Sequence, residues 1–320
     1  MTAYLVRRLF QSLVVILGVI FISFFLQHLI PGGAAAAGAL GSKATPRAIA
    51  LWNHDNGYDR PYLVQYVSYI WNVVHLRFGF SSIQNQEIWP LIKAHMAHTV
   101  SLILASQIIV FGLAIPLGVA QAQRRNTRFD YFATGFSFIL YATPAFLLGE
   151  ILLSLFAIHW QIFPVAINST AGPWAVFTQP WEFVLPVLTL SAISIGGLSR
   201  YQRSSLLDTL TQDYIRTAKA KGASRLRVLY RHGLRNSILP IITIIGLSIP
   251  SVVSGALITE TLFSYPGMGY LTVRSAQQDD VLVVMGVTVI AAFLTVVGST
   301  IADILYAVVD PRIRLGAKSE

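Results

Sequence analysis

The sequence predicts an all-α integral membrane protein with six transmembrane helices, and three observations carry that prediction. The 320 residues are 54% hydrophobic and only 12% charged, about half the charge content of an ordinary soluble domain. The apolar residues gather into runs of membrane-crossing length, roughly 20 residues for about 30 Å of hydrocarbon. The basic excess, a formal net charge of +9, falls mostly between alternate runs, which is how cytoplasmic loops are marked. In a soluble chain the same excess would suggest nucleic acid; here it reports membrane orientation. There is no cysteine, which excludes disulfides, thiol catalysis and Cys-ligated metal.

Arg7 and Arg8 precede the first apolar run, Leu9 to Ile30, which is long enough for a retained helix rather than a cleaved leader. A polar segment, 31–98, follows. Its aromatic residues, among them Trp52, Tyr58, Tyr66 and Trp71, suit a small extracytoplasmic cap with an interfacial belt, and equally a docking surface or a lid over a path. Within it, Tyr62 to Val74 is a candidate helix. The second, third and fourth spans run over about 99–122, 131–158 and 183–199. The fourth is short, and its Gly196 and Gly197 point to close helix packing. Between the third and fourth, 159–182 carries Pro164, Pro173 and Pro180 and reads as irregular loop. The fifth span covers about 237–258 and the sixth about 281–308. The chain therefore divides into an N-terminus and first helix (1–30), an extracytoplasmic segment (31–98), a five-helix core (99–310) holding a cytoplasmic loop at 200–235, and a tail (311–320).

Orientation follows from Lys and Arg. Arg7, Arg8, Arg124, Arg125, Arg128, Arg312, Arg314, Lys318 and the dense series from Arg200 to Arg235 lie on one side, and only Lys43, Arg47, Arg60, Arg77, Lys93 and Arg274 on the other. Both termini and the 200–235 loop are thus expected in the cytoplasm.

Several chemistries are missing. No phosphate-cradling G-x-x-x-x-G-K-[ST] occurs, so the chain itself is not expected to bind nucleotide. Neither H-E-x-x-H nor G-x-S-x-G is present. His95 and His98 are three apart, a helical metal-ligand spacing, but lack a nearby carboxylate other than Glu87; they read as satisfied polar side chains. Glu150 and Asp303 are isolated acids within spans, short of the relay a proton-coupled carrier needs. Glu150 can line an aqueous path or snorkel; Asp303 can fix a helix end.

The most informative stretch is Gln212 to Ala223, a polar, basic, small-residue island in an apolar chain. Asp213 is a suitable N-cap and Gly222 a suitable C′ residue for a helix of about eight residues. Ser224 can cap a second helix bearing Leu226, Leu229 and Tyr230 and ending near Gly233, and Pro240 suits the first turns of the fifth span. Small side chains allow another surface to approach closely, and basic ones orient it. A cationic loop resting on anionic lipid fits the same residues.

At these residues the chain resembles a known family. Asp213-Tyr214-Ile215-Arg216-Thr217-Ala218-Lys219-Ala220-Lys221-Gly222, followed by Arg231-His232-Gly233-Leu234-Arg235-Asn236-Ser237-Ile238-Leu239-Pro240, is similar to the inner loop of ABC importer permeases, with Arg216-Thr217-Ala218 in the E-A-A place. More narrowly it resembles the first permease subunit of the dipeptide/oligopeptide/nickel family. Tyr4 to Leu9, Leu29 to Gly32, Thr143-Pro144-Ala145-Phe146, Glu260 to Gly269 and Asp310 to Arg314 agree, while Gly32-Gly33-Ala34 and Gln277 to Asp280 depart from the family's usual residues. The resemblance implies a type I importer transmembrane fold and a non-catalytic subunit. It also implies a second homologous permease, two cytoplasmic ATPases (or one fused) that hold the ATP and Mg, an extracytoplasmic binding protein, and a lipid membrane rather than nucleic acid around the chain. It makes Asp213, Tyr214, Arg216, Thr217, Ala218, Ala220, Lys221 and Gly222 the ATPase-coupling residues. Glu150, Glu260, Phe263, Pro266 and Gly267 are candidates for a substrate path or outer gate. The implied cargo is a short peptide, with nickel, glutathione or oligosaccharide as alternatives; an ATP-independent carrier is the competing class.

Overall fold

The computed structural model describes residues 2–29, 45–81, 83–167, 171–238, 241 and 256–309, with side chains between 7 and 300. Among the described residues the architecture is helical apart from one two-residue hairpin. Among the described residues four helices are long and apolar enough to cross a membrane, over Arg7–Leu29, Ile88–Gln123, Pro180–Leu210 and Val281–Thr300, and a bent pair raises that to five. The fifth span expected at 237–258, with Pro240, lies almost wholly outside the described residues, as does the Asp303 side chain. The chain forms two compact units, Met1–Thr99 with Tyr265–Thr300, and Val100–Ser264 with Ile301–Glu320.

The first unit begins with α1 (Thr2–Leu29). The segment after it holds α2 (Pro46–Asp55), started by Pro46 and the Thr45 cap, and α3 (Tyr62–Val74), whose ends coincide with the expected helix. Buried polar contacts join α3 and its approach to α1. The His28 ring meets Gln65 Oε1 at 2.8 Å, Gln65 Nε2 donates to the carbonyls of Tyr58 and Arg60, and Gln27 Nε2 donates to the Tyr58 hydroxyl at 2.9 Å. Burial pushes the Tyr58 phenol up from its ordinary pKa. A hairpin of β1 (Phe80–Ser81) and β2 (Gln86–Glu87) leads directly into α4 (Ile88–Gln123). The second span therefore starts well before residue 99. The end of the unit is α11 (Met268–Gln277) and α12 (Val281–Val309). Ile88, Ile92, Leu271, Val283 and Val287 form its core. Ser81 donates to buried Asp280, whose other oxygen faces the Val283 N–H at the start of α12. The departure from the family pattern at 277–280 thus falls on a helix cap.

The second unit contains the remainder of α4, then α5 (Arg128–Ala142), α6 (Ala145–His159), the short α7 (Ala175–Thr178), α8 (Pro180–Leu210), α9 (Asp213–Ala220) and α10 (residues 225–237). Over the third span expected at about 131–158 lie two helices, α5 and α6, which meet at 106°. The break is local: Thr143 and Pro144 are both extended, with ψ of 128° and 139°, because proline lacks the donor that would continue the helix and disfavours helical backbone before it. The fourth span is not short; its helix runs for 31 residues through Arg200 and Arg203. Of the loop expected at 159–182, the described residues 160–167 and 171–174 are irregular, α7 follows, and Pro180 opens α8.

Apolar residues lining a lipid-facing helix gain little by meeting another helix, so small residues and polar contacts must hold the spans together. They do. A Cβ on Gly118 would lie 2.5 Å from the Ser199 carbonyl, and one on Gly196 would lie 2.5 Å from that of Ser137. These glycines let α4 and α5 approach α8 to backbone contact. The buried Ser137 and Ser199 hydroxyls bond to each other at 3.2 Å.

Candidate functional site

The Gln212 to Ala223 stretch folds as a short capped helix on the surface of the second unit. Asp213 occupies the first helical turn rather than the cap; Gln212 is the N-cap, with ψ of 151°. Asp213 instead lies 3.4 Å from Arg216, an exposed pair of little energetic weight, and its negative charge favours the helix start. The other end is closed by a Schellman motif: Gly222 N–H bonds to Lys219 O at 3.0 Å and Ala223 N–H to Ala218 O at 3.1 Å. Gly222 has φ +78°, a conformation natural to glycine and strained for branched residues.

One side of α9 is anchored and the rest is open. Ile215 is fully buried, and α9 packs on the middle of α10. Asn236 Nδ2 donates to the Tyr214 hydroxyl at 2.8 Å, tying α9 to the end of α10. Arg216, Thr217, Lys219, Ala220 and Lys221 are exposed, and Ala218 is half-buried. The outward surface is thus mostly small and basic, with the Tyr214 ring partly exposed beside it, suited to a close polar contact with an acidic or neutral partner groove.

The support continues inward. Ser224 caps α10, accepting the Arg227 N–H. That helix does not stop at Gly233. It passes through a π-helical turn over Val228–Leu234 and carries on to Ser237. Gly233 is a packing position, where a Cβ would lie 3.1 Å from Leu206 and 3.2 Å from Leu210. Beyond it, Gln202 Nε2 donates to buried Ser237 Oγ at 3.0 Å, and Ser205 Oγ donates to Ser237 O at 2.9 Å. Leu206 and Leu229 pack with Val119 and Ala122, so α10, on which α9 rests, is packed against both α8 and α4. A cavity of about 440 Å³ lies behind the loop, lined in part by Lys219, Ala223 and Arg225.

A second constellation was not foreseen from sequence. The side chain of Asp130 is 2% exposed and accepts two hydrogen bonds from Arg203, at 2.7 and 2.8 Å. It also accepts the Asn126 N–H at 2.9 Å and the Thr134 hydroxyl at 3.3 Å. This bidentate pair clamps the start of α5 to α8. The available signal was Thr127-Arg128-Phe129-Asp130, a capping-box spacing: Thr127 is indeed the N-cap, and Asp130 is its third helical residue.

The outer candidates are distributed differently. Glu150 is exposed on α6, whereas Glu260 and Phe263 are buried in the second unit, so these three do not share one accessible wall. Pro266 and Gly267 belong to the first unit. There Gly267 precedes α11, the Met268 N–H bonds to Thr99 Oγ1 at 2.8 Å, and the buried Tyr265 hydroxyl donates to His98 O at 2.9 Å. His95 and His98 each turn a ring nitrogen onto a carbonyl of their own helix, those of Leu91 and Ala94. Among the described residues no cluster of metal-ligating side chains occurs.

Two family models account for nearly the whole length. One, the binding-protein-dependent transport system inner membrane component, matches residues 114–315, and its N-terminal counterpart matches residues 1–103. The oligopeptide transport system permease protein AppB of Bacillus subtilis is 40% identical over 315 residues, spanning 98% of this chain and 99% of that protein. The dipeptide transport system permease protein DppB of Escherichia coli is 33% identical over 336 residues, spanning 98% and 99%. A probable peptide ABC transporter permease of Sinorhizobium fredii is 34% identical, spanning 98% and 100%. With its apolar helices and its match along nearly the whole length, the chain belongs to the family of inner membrane permease components of binding-protein-dependent transport systems.

Proposed function

We propose that this chain is one of two homologous six-span permease subunits that together enclose a path for short peptides, and that α9 couples the path to a cytoplasmic ATPase. The observation that carries the coupling is the construction of α9: a short helix, closed at Gly222, anchored by Ile215 and Tyr214, with a small basic outward face and a continuous mechanical connection to α8 and α4. A helix that only rested on lipid would need no such connection. ATP-driven closure of the ATPases would then rock α9, α10 and α8 as a body. Tyr214, Arg216, Thr217 and Lys221 are the contacts, Asp213 steadies the helix start, Ala218 and Ala220 permit close approach, and Gly222 sets the turn.

Peptide cargo is supported by the relatives, named as oligopeptide and dipeptide permeases. An extracytoplasmic binding protein delivers that cargo, both termini lie in the cytoplasm, and the chain itself contributes no catalysis. Reconstitution of both permeases, the ATPases and the binding protein in vesicles tests this. Uptake should require ATP hydrolysis. Gly222→Val should abolish peptide-stimulated hydrolysis and uptake while the chain still inserts, because φ +78° disfavours a branched side chain. Uptake without the ATPases, or normal coupling in Gly222→Val, would contradict the proposal.

A further inference from the structure

The second unit holds a cavity of about 760 Å³, within the size range of small-molecule and peptide sites. Its floor is one face of α8, with Ser194, Gly197, Arg200 and Ser204, flanked by Gln107 of α4 and Tyr141 of α5. Two arginines line it, and they differ. Arg203 is neutralised by Asp130. Arg200 has no carboxylate partner among the described residues. Its guanidinium lies over the rings of Phe138 and Tyr141, 5.2 and 5.8 Å from their centroids. Aromatic faces steady a cation without neutralising it. A cation on a membrane helix without a counter-charge marks a ligand or ion pathway. The group that completes an arginine best is a planar oxyanion, held bidentately. The other polar groups, an amide and hydroxyls, can each donate and accept, which suits peptide backbone and demands no particular side chain.

We infer that this cavity is a station for cargo and that Arg200 receives the C-terminal carboxylate of the peptide. The inference rests on peptide import as the proposed function. Every unmodified peptide carries that carboxylate whatever its side chains, so one fixed cation serves a mixed cargo. The aromatic faces keep a competing hold on the guanidinium, so the carboxylate is released rather than trapped, as conduction requires. A phospholipid phosphate offers the same oxyanion chemistry, and the test separates the two.

The complete importer is reconstituted in vesicles of phosphatidylcholine, with and without phosphatidylglycerol. Uptake of trialanine and of its C-terminal amide is compared at equal, directly measured loading of the binding protein, in the wild type, Arg200→Gln and Arg200→Lys. The wild type should favour the free acid about tenfold, the size of one lost charge-assisted hydrogen bond. Arg200→Gln should bring the ratio to about one by slowing the free acid alone, and Arg200→Lys should recover part of it. Unchanged discrimination in Arg200→Gln, equal slowing of both peptides, or an Arg200→Gln defect that appears only with phosphatidylglycerol would overturn the inference. Absence of ATP-dependent uptake of either peptide in the wild type would instead overturn peptide import itself.

Discussion

Asp130→Ala removes, in one step, the acceptor for two guanidinium hydrogen bonds of 2.7 and 2.8 Å, for the Asn126 N–H and for the Thr134 hydroxyl. Deleting one member of a buried ion pair costs about 3–5 kcal/mol, mostly by stranding the other charge. The Arg203 side chain is 25% exposed, so its stranded charge keeps some hydration, which places the ion-pair loss near the lower bound, about 3 kcal/mol. The lost hydrogen bond to the Asn126 N–H adds about 1 kcal/mol. The expected cost is therefore about 4 kcal/mol, concentrated where α5 joins α8. The assay is unfolding of the purified permease in detergent, followed by tryptophan fluorescence, for Asp130→Ala, Arg203→Ala and the double variant. Once either partner is gone the second substitution should add little, giving a coupling energy of about 1–3 kcal/mol. Two singles each costing below about 1 kcal/mol, or additivity within about 0.5 kcal/mol, would refute the reading of this pair as a clamp.

Other positions give separate expectations. Gly118→Val places a side chain against the Ser199 carbonyl and the Gln202 stem, at 2.5 and 2.7 Å for its first carbon; it should cost about 1–3 kcal/mol in the same unfolding assay, whereas Gly112→Val, facing open space, displaces no neighbour and should melt close to wild type. Gln202→Leu cuts the bond to Ser237 and should lower the ratio of peptide taken up to ATP hydrolysed in reconstituted vesicles, with hydrolysis itself retained. Ser81→Ala leaves the buried Asp280 carboxylate one donor short and should cost about 1–3 kcal/mol, read as lower thermal stability; a melting curve unchanged by Ser81→Ala would mean that this contact contributes nothing.

What could be read from sequence followed from what each signal measures. Hydropathy measures transfer into lipid, so it found the runs that become α1, α4, α8 and α12. It is blind to backbone geometry, and so ran through Thr143-Pro144, where two extended residues turn the chain by 106°. It also stopped at Arg200, although a helix needs no apolar side chains to continue its hydrogen bonds; α8 extends to Leu210. Capping chemistry was legible at Gly222 and Ser224 because those residues act locally. Gly233 misled for the opposite reason: a glycine that ends a helix and one that admits a neighbouring leucine look alike until the neighbour is known. Asp130 and Arg203 are 73 positions apart, and only the fold brings them together. The stretch from Gln212 to Ala223 was conspicuous as a polar island, but its anchoring through Ile215 and Asn236 depended on contacts that no local pattern encodes.

The central claim, that α9 is the contact with the ATPase, is most directly tested by cross-linking. The chain contains no cysteine, so Thr217→Cys on the exposed face of α9 gives this subunit one thiol at a known place, and Val67→Cys, exposed on α3, serves as the comparison within the same complete importer. With a short thiol-to-amine reagent, Thr217→Cys should yield a permease–ATPase adduct whose amount changes when ATP replaces ADP, and Val67→Cys should yield none. No ATPase adduct from Thr217→Cys, or equal adducts from both positions, would contradict the account.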